Sequence, residues 1–280
     1  MKKTLVLPLT LFMIFSLVGC GNNNVDNPPS SNISTPDESS SNIEGTTSLT
    51  FERNDEGYTV TGETENVENI IIPLTYQGLP VTAIGNSAFA YSKHTAPILS
   101  VTIPDSVTSI GLNAFYNRSE MTTVTIGQNS SLKEIDRNAF SGNSALTAIY
   151  IPAGLTTLGD SAFNNDGSID FTVDEANAIY YSENGHLIEK ETKTLIRGGQ
   201  NPTIPESVLK IASAAFRKSH LFEITIPTSV TAIENYIIAD SSISVINYNG
   251  TEEKWTAIEK DKSWNYRKTD IEIRFANNSW

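Results

Sequence analysis

The feature that most constrains this chain is a six-residue string that keeps returning. Ile84-Gly85-Asn86-Ser87-Ala88-Phe89 is followed by Ile110-Gly111-Leu112-Asn113-Ala114-Phe115 and by Ile135-Asp136-Arg137-Asn138-Ala139-Phe140. Leu158-Gly159-Asp160-Ser161-Ala162-Phe163 and Ile211-Ala212-Ser213-Ala214-Ala215-Phe216 continue the series, and Ile233-Glu234-Asn235-Tyr236-Ile237-Ile238 is a degenerate copy. Ahead of the string stands Ile-Pro and then Ser-Val-Thr or a variant, as in Ile103-Pro104-Asp105-Ser106-Val107-Thr108 and Ile226-Pro227-Thr228-Ser229-Val230-Thr231. A unit of about 23 residues with one short strand cannot bury its own apolar face, so the units must stack into a solenoid with a shared core.

Before each Ile-Pro the apolar residues fall at i, i+3 and i+5, as in Met121, Val124 and Ile126, or Leu146, Ile149 and Ile151, or Leu221, Ile224 and Ile226. Strand alternation sends the residue between the last two to the opposite, outward face. Down the chain that position reads Ile71, Thr102, Thr125, Tyr150, Thr172, Thr203, Thr225 and Asn247. Rungs spaced ~4.8 Å apart would make a ladder of about 34 Å, long enough for an extended peptide, a protein edge or a glycan. Threonine also suits any exposed strand face. Tyr150 near mid-ladder and Phe222 in a strand flank add exposed aromatics of the kind that anchor ligands. The proline after each strand has no N–H for the ladder and stops the strand at the same height.

The composite L-x-x-I-x-I-P-x-x-V-T-x-I-G-x-x-A-F resembles the BspA-like class of bacterial leucine-rich repeats over residues 49–280. The resemblance implies a mainly β solenoid of short stacked strands, and an extracellular or surface protein of the sort implicated in adhesion to host matrix or other bacteria. Leu49 to Gly62, turning at Asn54-Asp55-Glu56-Gly57, is similar to the family's N-terminal hairpin cap. Tyr248-Asn249-Gly250-Thr251 with Trp255, Ile258 and Trp264 resembles its C-terminal cap, with Thr251 positioned to N-cap a short helix. The pattern breaks after Phe171-Thr172-Val173, where residues 174–201 read as a hairpin insertion around Glu189 to Thr194. Such an insert is either a structural variant or a binding protrusion.

The N-terminus carries an address. Met1-Lys2-Lys3 is followed by an apolar run to Gly19, in the layout of a signal peptide. The run is shorter than the roughly 18–20 residues of a permanent membrane span. It ends at Leu17-Val18-Gly19-Cys20, which resembles a lipoprotein lipobox around the only cysteine of the chain. That resemblance implies cleavage after residue 19 and lipid on Cys20, a stable membrane anchor if two or more acyl chains are attached. Residues 20–48, rich in Ser, Asn and Pro, form the expected tether to a folded domain at 49–280.

Composition closes several alternatives. Nineteen basic against 32 acidic residues give a net charge of −13, so nothing offers the basic footprint that nucleic acid requires. A single cysteine excludes an internal disulfide and cysteine-rich zinc sites. Neither G-x-S-x-G, H-E-x-x-H nor a P-loop occurs. Gly159-Asp160-Ser161 looks like a hydrolase fragment but occupies a repeat position, and Asn164-Asn165-Asp166-Gly167 lacks the acidic ligands of a calcium loop. His94, His186 and His220 are not in metal-ligand spacing. The expectation is a non-enzymatic, cofactor-free surface protein that binds a protein ligand. A glycan-binding module and a passive envelope spacer are the alternatives.

Overall fold

The computed structural model describes residues 45–91, 96–165 and 167–276. Cys20 and the signal region lie outside the described residues, as does His94.

One turn of the solenoid shows how the repeat works. In the strand Ser100–Ile103, Val101 and Ile103 are buried while Ser100 and Thr102 face outward. Pro104 ends the strand, its carbonyl accepts from the N–H of Val107, and the chain bends into the two-residue strand Ser109–Ile110. Gly111 then lies so close to the preceding turn that a Cβ there would stand 2.5 Å from Asn86 Oδ1 and 2.9 Å from its backbone nitrogen. Asn113 turns through the left-handed region at φ 55°, where asparagine is tolerated better than most side chains. Ala114 and Phe115 drop into the core, both fully buried.

Repeated, this turn gives two parallel sheets. The long strands form three hydrogen-bonded blocks: Asn69–Ile71 with Ser100–Ile103 and Thr123–Ile126; Ala148–Ile151 with Asp170–Val173; and Glu223–Ile226 with Val245–Tyr248 and Glu272–Phe275. The short strands Ser109–Ile110, Glu134–Ile135 and Thr157–Leu158 pair on the other side. On the remaining side the turns bond directly, Phe89 N–H to Ala114 C=O, Phe115 to Ala139 and Phe140 to Ala162, each at 2.8 Å. These bonds place the phenyl rings of Phe89, Phe115, Phe140 and Phe163 in a near-parallel stack with centroids 5.2 to 5.6 Å apart. Burying each such ring contributes roughly 1.5–3 kcal/mol.

The insertion is packed scaffold. Three antiparallel strands, Tyr180–Glu183, His186–Glu189 and Thr194–Arg197, run one after another. The last of them pairs in parallel with Lys210–Ile211, so the insert supplies a rung of the short-strand sheet. A hairpin turns between Glu189 and Thr194, and a third strand, Tyr180–Glu183, extends it. Asn177 fixes the entry, donating from Nδ2 to the carbonyls of Pro152 and Leu155 and accepting from the N–H groups of Ile179 and Tyr180. Strand alternation then makes this small sheet a wall between two cores. Tyr180, Leu187 and Ile196 pack with the residues before it, and Tyr181, Ile188 and Leu195 with those after it.

Both ends are closed as expected. Leu49–Arg53 and Tyr58–Glu63 form the antiparallel hairpin, with Phe51 and Tyr76 stacked at 4.1 Å. Upstream of it, Thr46 donates its N–H to Ile71 C=O and accepts the Ile71 N–H on Oγ1. At the other end Thr251 caps the helix Glu252–Ala257, its hydroxyl accepting from the N–H of Lys254, and Trp255 and Ile258 are buried.

Candidate binding face

The outward positions of the long strands come together as a row. Ile71 is opposite Thr102, and Thr102 opposite Thr125. Tyr150 is opposite Thr172; Thr203 bridges to Thr225, and Thr225 is opposite Asn247. The row therefore has matched register within each block, and it ends on a rung that the repeat pattern did not single out, because Asn247 is opposite Arg274. Thr125, Thr172 and Thr203 are exposed, and Ile71, Thr102, Tyr150, Thr225 and Asn247 are half-buried by their neighbours.

The two aromatics differ. Tyr150 donates its hydroxyl to Asp174 Oδ2 at 2.6 Å. Its own burial first, and then this bond and the Asp174 charge, push the phenol up to about 12, while the same bond holds Asp174 below the usual carboxylate range. Tyr150 is thus a strut whose polar end is already engaged. Phe222, in contrast, is 67% exposed, the most exposed of the large apolar side chains described. Its carbonyl accepts from Ser244 and Val245, so the ring is carried on a segment fixed by the next turn.

Charge enters at the C-terminal end of the row. Arg274 pairs with Glu272 at 2.8 Å and reaches Glu223 at 4.0 Å, and Asn247 Nδ2 donates to Glu223. A second exposed cluster, missed in the sequence, lies on the turn side. Tyr236 and Tyr266 meet edge to face at 5.2 Å, Arg267 lies over the Tyr266 ring, and Arg217 pairs with Asp240 beside them. The spacing of 30 residues between the tyrosines hid it, since one comes from a degenerate repeat and the other from the cap.

His186 is fully buried in the partition: Nδ1 accepts from Gly199 N–H, and Nε2 donates to Thr203 C=O. His220 is exposed. Among the described residues no group of three or more His, Cys, Asp or Glu is placed to hold a metal ion.

A family model described as BspA type leucine-rich repeat region matches residues 61–183 and 199–269 in six copies. No curated protein matches the chain. Among solved structures, a leucine-rich repeat protein from Bacteroides capillosus is 29% identical, covering 45% of this chain and 94% of its own at a TM-score of 0.40. The T. pallidum leucine-rich repeat protein is 18% identical, with 72% and 83% covered and a TM-score of 0.42. A leucine-rich cell surface protein of Faecalibacterium prausnitzii is 22% identical, with 78% and 97% covered and a TM-score of 0.30. With the repeat string, the stacked phenyl rings and a family match across most of its length, the chain belongs to the BspA-type leucine-rich repeat family.

Proposed function

We propose that this chain is a cell-surface protein, lipid-anchored through Cys20, whose long-strand face binds a protein ligand in adhesion to a host or to other cells. The observation that carries the reading is the outward row from Ile71 to Asn247, in register within each strand block, lined with hydroxyl groups and flanked by the exposed ring of Phe222. A row of short side chains on a sheet held by its own backbone loses little entropy on binding. An exposed aromatic beside it is the usual source of binding energy in a protein interface. A protein ligand is favoured over a glycan because the Tyr150 hydroxyl is engaged by Asp174, leaving Phe222, beside the row, as the most exposed ring among the described residues. No residue is assigned a catalytic role, and no cofactor or nucleic-acid partner is proposed.

The test is binding of the full-length chain to immobilised host matrix proteins, bacterial surface proteins and polysaccharides, alongside Phe222→Ala and Thr125→Lys. Saturable binding to a protein, weakened about tenfold or more by Phe222→Ala, is expected. Binding to polysaccharides alone would move the reading to a glycan module. Absence of binding by the folded chain, with surface phenotypes unchanged by both substitutions, would leave a passive envelope spacer. Anchoring is tested separately by labelling cells with a fatty-acid analogue: label is expected on the wild type and none on Cys20→Ala.

A further inference from the structure

From its six-residue Ile-Gly-x-x-Ala-Phe string, every complete turn of the first stack hands two backbone N–H groups to the turn that follows. Ser87 donates to Leu112 C=O and Phe89 to Ala114; Asn113 donates to Arg137 and Phe115 to Ala139; Asn138 donates to Asp160 and Phe140 to Ala162. The turn at Leu158–Phe163 has no such successor, because the inserted strands replace the next Ile-Gly-x-x-Ala-Phe. The N–H groups of Ser161 and Phe163 consequently donate to nothing among the described residues. Phe163 is only 5% exposed, and a backbone N–H in so buried a residue is normally paired. Leaving such a group unpaired costs about 1–3 kcal/mol.

These two donors border a cleft of about 440 Å3, solvent at its mouth included, formed between this turn, the partition sheet and the Ser213–Ala214 turn. Its lining includes the apolar Leu158, Ala162, Leu187 and Ile196. It also includes Arg197, 8% exposed. Its Nη1 and Nη2 donate to the carbonyls of Ala214 and Arg217 at 2.7 and 2.9 Å. No carboxylate pairs with it among the described residues, and the carboxylate of Asp240 is engaged by Arg217. Burial, with the Arg217 charge adding to it, pushes the guanidinium down to about 10, which still leaves it cationic at neutral pH. Asn164 also lines the cleft, and its buried Oδ1 has no partner; turning the amide over presents its NH2 at the same spot.

We propose that this cleft is a binding site for a carboxylate carried on a short aliphatic chain, its two oxygens shared between the N–H groups of Ser161 and Phe163 and the guanidinium of Arg197. A carboxylate supplies acceptors where the missing turn would have offered carbonyls, and it neutralises a guanidinium that has no counter-ion among the described residues. The apolar wall of Leu158, Leu187 and Ile196 selects a hydrocarbon tail over an inorganic anion. Both a free short-chain acid and the C-terminal residue of a polypeptide carry this chemistry.

The experiment is an amide NMR titration of the full-length chain with butyrate, with butyramide and inorganic phosphate as controls, and with N-acetyl-Gly-Val as free acid and as amide. Expected are saturating shifts at the Ser161 and Phe163 amides and at Arg197 Nε–H. Each carboxylate should bind at least tenfold more tightly than its amide. Tighter binding of the peptide acid identifies a chain terminus as the natural occupant, and tighter binding of butyrate a free acid; both uphold the site. Arg197→Met should weaken butyrate at least tenfold. Ile196→Trp, which crowds the cleft and leaves the guanidinium in place, should abolish binding and serves if Arg197→Met does not fold. Equal binding of butyrate and butyramide, saturation by phosphate without butyrate, absence of shifts at these amides, or unchanged affinity in Ile196→Trp would overturn the proposal.

Discussion

The stacks on the two sides of the partition solve one packing problem with different parts. Before it, glycine stands after the isoleucine or leucine in three of four turns, at Gly85, Gly111 and Gly159. The chain approaches the previous turn so closely at Gly159 that a Cβ would fall 2.2 Å from the backbone nitrogen of Arg137. The same position after the partition is Ala212, Glu234 and Asp261, so the later turns have room for a side chain. Four phenyl rings stack in the first half; in the second, Phe216 is followed by Ile237 and Ile238, and ion pairs such as Lys210–Glu234 and Arg217–Asp240 brace the exterior. The first half is held by repetition of one tight contact, the second by a mixture of different ones. A solenoid tolerates both because each turn answers only to its neighbours.

The contrast can be broken hardest at the centre of the ring stack. Phe140 lies between Phe115 and Phe163 at 5.2 and 5.6 Å, and Phe140→Ala should cost about 3–5 kcal/mol in chemical denaturation. If the partition separates the stacks energetically, amide exchange should accelerate in residues 100–163 and leave 205–250 nearly unchanged. Next in size is the glycine test. Gly159→Ala should destabilise by about 1–3 kcal/mol because backbone occupies the space. The mirror change Ala212→Gly should stay under about 1 kcal/mol. Equal costs for the two would erase the distinction drawn above.

The partition itself should respond to pH. Burial foremost lowers the folded pKa of His186, against the opposing pull of its Thr203 bond and of Asp170 and Glu183. A neutral buried ring contributes stability in full above its unfolded value of about 6.5. That stability is lost as pH falls from there toward the lowered folded value, at no more than about 1.4 kcal/mol per pH unit. Melting temperatures measured between pH 7.5 and 5 should show the decline in the wild type and a shallower one in His186→Gln. The smallest effect is a gain. Ala214 holds φ 58° where Asn113 and Asn138 hold φ 55°, so Ala214→Asn should stabilise by about 0.5–1 kcal/mol. A loss there would mean that the second stack relies on alanine for contacts the first does not need.

Much of this was legible because the repeat states its own geometry. The buried Ile, Ala and Phe, the outward threonines, the hairpin at Asn54–Gly57 and the Thr251 cap all follow from spacing and local chemistry. What escaped depends on residues that meet across an interruption. His186 and Arg197 give no local sign of burial, since the environment that encloses them is built by Thr203, Ala214 and Arg217 downstream. Arg274 joins the outward row only because the terminal strand adds in register, and Phe222 and Tyr150 look alike in sequence until Asp174 is seen to hold one of them. The outward row itself was readable by position; its charge at one end was not.

The long strands take their register from the backbone of the adjacent turn, and each turn brings its own outward residue. Copying one unit within the gene would therefore lengthen the face by about 4.8 Å and add a single side chain, leaving every other contact as it was. On the proposed binding face, reach and recognition can then be inherited separately: the number of units would set how much of a partner is covered, and the residue at one position per unit what each rung reads.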